Sequence, residues 1–263
     1  MHLYISAVSH GHERLIRKFQ TLKRLANHPD ITVLCRDNQN SQALKKHCEC
    51  SGILYFPNQT RAGFATNNNL NFWEAKKLGM RDDDYFVLLN CDVHINTLAL
   101  QQLIISLEKS KPLIAAPNLF LDHEHTIYDD NLRRYPSILT FTKNYLFNDR
   151  SSVIDKSKPS QLPERYWASG AFLAFTSLVY QQLDGMNERF FLYCEDIDIC
   201  RRASKQGIPV TFLSNVNASH HRRRSSQRFL SRAFFWHVKS VFIYSLSSKR
   251  LLSVKGLKRH LPQ

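Results

Sequence analysis

YFVLLN, Tyr85 to Asn90, is the most strongly apolar short run in the chain, and CDVHI follows it directly. Three aspartates, Asp82 to Asp84, precede it as a solvated turn, so a buried strand with a polar entry and a polar mouth is predicted. Similar runs lie on either side. LYISAVS (Leu3 to Ser9), ITVLCRD (Ile31 to Asp37) and GILYFP come before it, and PLIAAP (Pro112 to Pro117), WASGAFLAFT (Trp167 to Thr176) and IPVTFL come after. Helical patterns separate them: Leu15, Phe19, Leu22 and Ala26 recur near one face, and a polar helix runs through Lys46. This alternation predicts a parallel, doubly wound α/β sheet, whose ligands bind at the carboxyl ends of the strands. Ser9, Asp37 and the residues after Leu89 are therefore the places to look for chemistry.

The chain has 263 residues, 43% of them hydrophobic and 22% charged, which suits one large globular domain with ample core material. No window approaches the roughly 18 uncharged apolar residues of a spanning helix. MHLYISAVSHGHE lacks the basic, apolar, small-residue order of a signal peptide, so the chain is expected to stay in the cytoplasm. Six cysteines form no CxxC pair, which fits reduced thiols in a reducing compartment. Charge is segregated. Residues 1–200 hold 22 Lys or Arg against 22 Asp or Glu, whereas residues 201–263 hold 14 basic residues and no acid, so the net +14 lies in the last quarter.

GMNERFFLYCEDIDIC, Gly185 to Cys200, places Glu195, Asp196 and Asp198 behind an aromatic run that cannot all face water. Acids complement a helix start, and Asp198 stands four residues before Arg202 in ion-pair order, so structure alone accounts for it. Glu195 and Asp196 sit beside Phe190 to Tyr193, where desolvation raises a carboxyl's pKa and suits it to general-base work. Asp92, at the mouth of the best strand, reads either as a turn former or as a carboxylate for a divalent ion bridging two phosphates. RAGFATNNN offers a glycine at a helix start, either an Asn-rich cap or exposed N–H groups for a phosphate or sugar. In NASHHRRR, His220 reads as a metal ligand or a satisfied loop histidine. Arg222, Arg223 and Arg224 read as a diphosphate grip or as solvated charge.

Taken in order, VSHGHE, VLCRDN, GFATNNN, LLNCDV, WASGAFLAF, GMNERFFLYCEDIDICRRASKQG, NASHH and AFFWHVKS resemble the family 2 glycosyltransferases, in the branch of bacterial O-antigen rhamnosyltransferases. The resemblance implies a GT-A, Rossmann-like, doubly wound mixed α/β sheet with a C-terminal basic amphipathic helical extension. It implies a catalytic domain over 1–215, with 119–163 a loop-rich insertion, and a basic, aromatic tail over 216–263. By position, Asp37 would contact the nucleotide base, Asp92 would be the metal-binding acid, and His220 would help hold Mg²⁺ or Mn²⁺ and the diphosphate. Asp196 looks like the catalytic base, with Glu195 supporting it or touching the sugar. Trp167 and Gly170 would line the acceptor or sugar pocket, and Ser9, Gly63 and Asn90 complete the expected donor-binding set. Asn90 stands where the general DxD pattern has its first Asp, and Arg61 replaces an Asn common before the Gly-Phe pair.

The implied reaction is an inverting transfer of L-rhamnose from dTDP-rhamnose to a polyprenyl-diphosphate-linked glycan, with a UDP-hexose or galactofuranose donor as the alternative. The tail spaces Arg228, Arg232 and Lys239 on one helical stripe, which suits an anionic membrane surface or an ordinary packed helix. A nucleic-acid partner is not expected, because no such motif accompanies the basic tail and the first two hundred residues are neutral. A noncatalytic carbohydrate-binding chain would have lost its carboxylates, and Asp92 and Asp196 are both present.

Overall fold

The computed structural model describes residues 1–137, 140–141, 149–222, 232–248 and 251–260. Strands β1 (Leu3–Ser9), β2 (Ile31–Asp37), β3 (Leu54–Pro57) and β4 (Tyr85–Leu89) come from the apolar runs of the first half. They are followed by β5 (Val93–His94), β6 (Ile114–Phe120), β7 (Leu132–Arg133), β8 (Trp167–Ala168), β9 (Phe172–Thr176) and β10 (Thr211–His220). The helices are α1 (Glu13–Phe19), α2 (Thr21–Ala26), α3 (Gln42–Glu49), α4 (Phe64–Lys77), α5 (Thr97–Ser110), α6 (Ser177–Gln182), α7 (Glu195–Lys205) and α8 (Arg232–Ser248).

Eight strands form one sheet in the order β3-β2-β1-β4-β9-β6-β10-β5. Every residue of β4 is buried, because helices cover both faces of the sheet. Leu3, Ile5, Val33, Val87 and Leu89 pack on one face with Leu22, Leu25 and Leu103. Tyr4, Leu34, Phe86 and Leu88 pack on the other with Phe72 and Tyr180. There Phe72 meets Phe86 edge-on at 5.2 Å and stacks on Tyr180 at 4.9 Å. Full burial of each such phenylalanine contributes about 1.5–3 kcal/mol. Side-chain caps fix helix entries: Ser41 Oγ accepts Leu44 N–H at the start of α3, and Asn96 Oδ1 accepts Ala99 N–H at the start of α5.

The sheet is mixed, as the family resemblance implies and as alternation alone does not. β9 runs antiparallel between β4 and β6 because the chain, after the long segment that follows β6, re-enters the sheet at its carboxyl edge, with Phe172 beside Leu89. The single helical pattern near residues 12–26 is two helices, broken at Gln20, whose left-handed φ of 53° ends α1 with its N–H on Ile16 O. The last strand begins at Thr211 and runs on to His220. It pairs with β6 to Leu213, shifts register, pairs again over Asn217 to Ser219, and finishes antiparallel against β5. An expected boundary at 215 therefore falls inside β10. The irregularity delivers His220 to the strand edge beside Val93, next to Asp92.

α8 closes over the aromatic run that precedes α7. Phe190 is fully buried, Phe191 lies 4.7 Å from Trp236, Tyr193 meets His237 at 5.3 Å, and Ser240 Oγ donates to Leu192 O. Its outer side carries Phe235, Val238, Phe242 and Leu246, all exposed. The outward stripe of α8 is thus apolar, with Lys239 beside it. Arg228 lies outside the described residues, as does the side chain of Arg232.

Candidate active site

Asp196 stands in the first turn of α7, behind a strained backbone. Tyr193 and Cys194 both have left-handed φ, 72° and 67°, a conformation costing a non-glycine residue about 1–2 kcal/mol each. The bend turns the start of α7 toward the strand-end loops. Asp196 Oδ2 accepts the Gly170 N–H at 3.1 Å, and Oδ1 accepts its neighbour Ile197 N–H at 2.8 Å. Its carboxyl is half-buried, and burial holds its pKa above the ordinary carboxylate value against those two backbone donors. Glu195 is more deeply buried, and burial followed by the Asp196 charge pushes it up to about 8. Its Oε2 has no partner among the described residues. The pair therefore separates into one carboxylate that ionises first and one that keeps its proton near neutrality.

Asp198 is structural, as its spacing implies. It receives Arg202 Nε at 2.8 Å, and Arg202 also donates to Gly185 O at 2.7 Å, tying the Gly185 loop to α7.

Gly63 permits the close approach that assembles this side, while Gly170 has room for an ordinary contact. A Cβ on Gly63 would lie 2.5 Å from Phe191 O, to which Phe64 N–H already donates at 2.9 Å. A Cβ on Gly170 would touch Phe64 and the Asp196 Cβ at 3.4 and 3.5 Å. The asparagine side chains at the start of α4 are committed within the fold. Asn67, Asn68, Asn69 and Asn71 are fully buried. They bond Ala62 O, Ser6 Oγ, Met186 O and Arg36 Nε, a polar spine between the sheet and the Gly185 loop. Arg61 lies over Phe191 and Trp236, at 5.4 and 4.8 Å from their centroids, linking that loop to α8.

The residues expected to meet the nucleotide lie at the strand ends. Ser9 and Asp37 are register partners at the mouths of β1 and β2, both buried. Asp37 accepts Gln39 N–H, Ser41 N–H and Tyr55 O–H, so its carboxylate first of all shapes the turn after β2. Asn90 N–H donates to Ala171 O at 2.8 Å, stitching the Asn90-Asp92 turn to the strand end that carries Gly170. Trp167 is half-buried with its Nε1–H on Arg134 O.

On this turn Asp92 Oδ1 lies 3.4 Å from His220 Nε2. The opposite ring nitrogen, Nδ1, bonds Asp129 Oδ2 at 2.6 Å. Burial alone would lower the His220 pKa, but Asp129 and Asp92 hold it up near 9. Burial likewise pushes Asp92 up, and the His220 hydrogen bond and charge outweigh it, leaving Asp92 below the usual carboxylate range. A carboxylate oxygen and an imidazole nitrogen on one edge, the imidazole backed by a second carboxylate, are groups that could hold a divalent ion once the ion displaces the imidazole proton. No three metal-ligating side chains converge among the described residues, so an ion here would draw its remaining ligands from phosphate oxygens and water.

Arg222 corrects its expected role. It is not simply solvated charge but is paired with Asp129 and, at 3.4 Å, with Asp130. Arg223 and Arg224 lie outside the described residues.

Sequence reasoning missed Asp129, Asn131 and Lys156, all buried within the presumed loop. Asn131 O accepts Ser169 N–H, next to Gly170, while Asn131 Oδ1 and Leu119 O receive the Lys156 ammonium at 2.6 and 2.7 Å. The segment Asp129 to Asn131 thus braces the His220 side and the Gly170 side at once. Its one sequence signal is an Asp-Asp-Asn run framed by Tyr128 and Leu132.

No family model matches the chain. It is 31% identical over 259 residues to the rhamnosyltransferase WbbL of Escherichia coli (strain K12), covering 98% of this chain and 97% of that one. An N-acetylglucosaminyl-diphospho-decaprenol L-rhamnosyltransferase of Mycobacterium tuberculosis is 21% identical, over 92% of this chain and 83% of its own. Among solved structures, the mannosyltransferase PcManGT of Pyrobaculum calidifontis, in complex with GDP-Man and Mn²⁺, superposes with a TM-score of 0.59. It is 11% identical, over 96% of this chain and 65% of that one, a likeness of fold alone.

Proposed function

The chain belongs to the rhamnosyltransferase-like branch of the family 2 glycosyltransferases and has their GT-A fold, and on that premise we propose that it transfers L-rhamnose from dTDP-rhamnose to a lipid-linked oligosaccharide in cell-surface polysaccharide synthesis. It is a glycosyltransferase; donor, acceptor and place of action are the proposal. The carrying observation is Asp196, a half-buried carboxylate of raised pKa held by Gly170 N–H, on a strand end stitched to the turn that bears Asp92.

In this reading Asp196 takes the proton from the acceptor hydroxyl as that oxygen attacks the anomeric carbon, inverting it. Its negative charge also favours the oxocarbenium character that develops at the sugar. Glu195, buried and still protonated at neutral pH, supports Asp196 in that role. Ser9 and Asp37 bound the nucleotide end, Gly63 and Asn90 line the path between, and Trp167 and Gly170 face the acceptor. Asp92 and His220 would hold Mg²⁺ or Mn²⁺, which when bound neutralises charge on the departing diphosphate. The test is nucleoside diphosphate release from a panel of nucleotide sugars with a membrane-extracted lipid-linked acceptor. Turnover restricted to dTDP-rhamnose is the expected result. Turnover of a UDP-hexose or UDP-galactofuranose alone would overturn the donor, and no turnover with any donor would overturn the function.

Membrane docking at the inner face of the cytoplasmic membrane rests on the apolar outer stripe of α8 and the acid-free last quarter of the chain. No helix among the described residues is long and apolar enough to cross a membrane. Phe242, 69% exposed, is expected to enter the lipid interface. In flotation with phosphatidylglycerol-containing vesicles, Phe242→Glu should partition about tenfold more weakly, the loss of one buried phenylalanine, with an unchanged melting temperature. Equal flotation of the two proteins would count against α8 as the docking face.

A further inference from the structure

Beside the base lies a small cleft lined by Arg133, Arg134, Phe141, Ser152, Trp167 and Ile197. Ile197 adjoins Asp196, and Trp167 lies three residues before Gly170, so the cleft flanks the two residues that define the base. Positive charge is in surplus around it. Asp129 and Asp130 are the carboxylates on this segment, and they face three arginines and the buried Lys156, whose pKa burial lowers to about 7 so that it adds part of a charge. Asp130 receives Arg133 at 3.3 Å, Arg150 at 2.5 Å and Arg222 at 3.4 Å, and Lys156 is buried within the electrostatic reach of both acids. Burial disfavours the charge on Arg133, Asp130 favours it, and Arg222 and Arg150 add to the effect of burial. Such a cluster gains from an added anion.

Arg134 is the group placed to meet one. Its backbone is clamped on both sides, with its N–H on Ser152 O at 2.8 Å and its carbonyl receiving Trp167 Nε1 at 3.1 Å. Its side chain is exposed, and among the described residues the guanidinium has no partner. Beyond the cleft, Phe141 packs on Tyr244 and His237 of α8, at 5.8 and 6.2 Å, and the opposite face of α8 is the exposed apolar stripe. The cleft therefore has the base's neighbour Ile197 in one wall and Phe141, which packs on α8, in another.

The geometry points to this cleft as the subsite for the anionic phosphate or diphosphate that joins an acceptor sugar to its lipid, with Arg134 the gripping residue and Arg133 the supporting one. The assignment rests on the glycosyl-transfer reading above and extends it to the acceptor. An anionic phospholipid headgroup carries the same chemistry, and the acceptor's own diphosphate is favoured because the cleft opens beside the base.

The test is calorimetric titration of farnesyl diphosphate and of farnesol into the whole chain, with nucleoside diphosphate saturating the donor side. Arg134→Ala is expected to weaken farnesyl diphosphate about tenfold, the loss of one charge-assisted contact, and to leave farnesol and nucleoside diphosphate affinities unchanged. Arg134→Lys should recover part of the loss, since charge persists without the planar fork. Equal weakening of farnesol, or an unchanged farnesyl diphosphate affinity, would overturn the assignment. So would a loss confined to flotation on phosphatidylglycerol vesicles, which would make Arg134 a headgroup contact. A native chain that binds farnesyl diphosphate through Arg134 but turns over no donor would sink glycosyl transfer and leave the anion cleft standing.

Discussion

Asp196→Asn is expected to lower sugar transfer by about 10²- to 10⁴-fold at neutral pH, the range a positioned general base supplies. Asparagine fills nearly the same volume, and its single oxygen can still accept the Gly170 N–H at the cost of the Ile197 contact, so the chain should stay folded and its nucleoside diphosphate affinity should stay within about twofold. The loss should fall on kcat rather than on donor KM, because proton removal matters only as the acceptor oxygen attacks. The native rate should decline as pH falls through the Asp196 pKa, above the ordinary carboxylate range because burial opposes the charge. Asp196→Asn should show no such limb in its residual rate. A variant that keeps its rate within about tenfold of native, below the whole span of general-base contributions, would move the base elsewhere.

Glu195 makes the companion measurement informative. A carboxyl titrating near 4.5 in the unfolded chain and near 8 in the fold stabilises the fold below the lower value. That contribution is lost as pH rises to and through the higher one. Glutamine never ionises, so Glu195→Gln should melt progressively higher than the native chain between about pH 5 and about pH 9. If Glu195 were instead ionised in the fold at neutral pH, the two proteins would keep a constant difference across that window.

The parts of this molecule that were legible in its sequence are those where local pattern and tertiary environment agree. YFVLLN is buried on both faces and reads as nothing but a strand. Asp198 pairs with Arg202 because four residues on a helix put them together wherever the helix lies. Asp196 and Asp92 were legible as candidates, since each sits where an apolar element ends. Their surroundings were not, because the Gly170 N–H on Asp196 comes from 26 residues away and the Asp129 carboxylate behind His220 from 91. Arg222 misled for the same reason: three consecutive arginines look solvated until a buried aspartate, remote in sequence, claims the first. The segment from 119 to 163 looked like loop because its polar residues have no period. Its Asp129, Asn131 and Lys156 are buried as a hydrogen-bonded cluster, a form of core that hydrophobic periodicity cannot register.

That cluster carries the second large expectation. Asp129→Asn should weaken Mn²⁺ binding by about 10- to 100-fold, the usual consequence of removing the carboxylate behind a metal-facing histidine. Asp129 is fully buried and bonds Nδ1 of His220 at 2.6 Å, which fixes the ring so that Nε2 faces Asp92. An asparagine amide can present either oxygen or N–H to that nitrogen, so the ring orientation is no longer imposed. Free Mn²⁺ measured by electron paramagnetic resonance, with nucleoside diphosphate present, reads the affinity without any turnover. In the assay the same change should appear as a raised Mn²⁺ requirement, with kcat approaching the native value once the ion saturates, a recovery that a damaged fold would not give. Arg222→Gln provides the contrast. It removes the other partner of Asp129 but leaves the histidine contact, so it should cost stability while moving Mn²⁺ affinity by less than about threefold, below the range for a lost orienting carboxylate. Native Mn²⁺ affinity in Asp129→Asn would mean that the His220 ring is oriented without Asp129. No Mn²⁺ binding by the native chain would instead remove Asp92 and His220 as a metal pair.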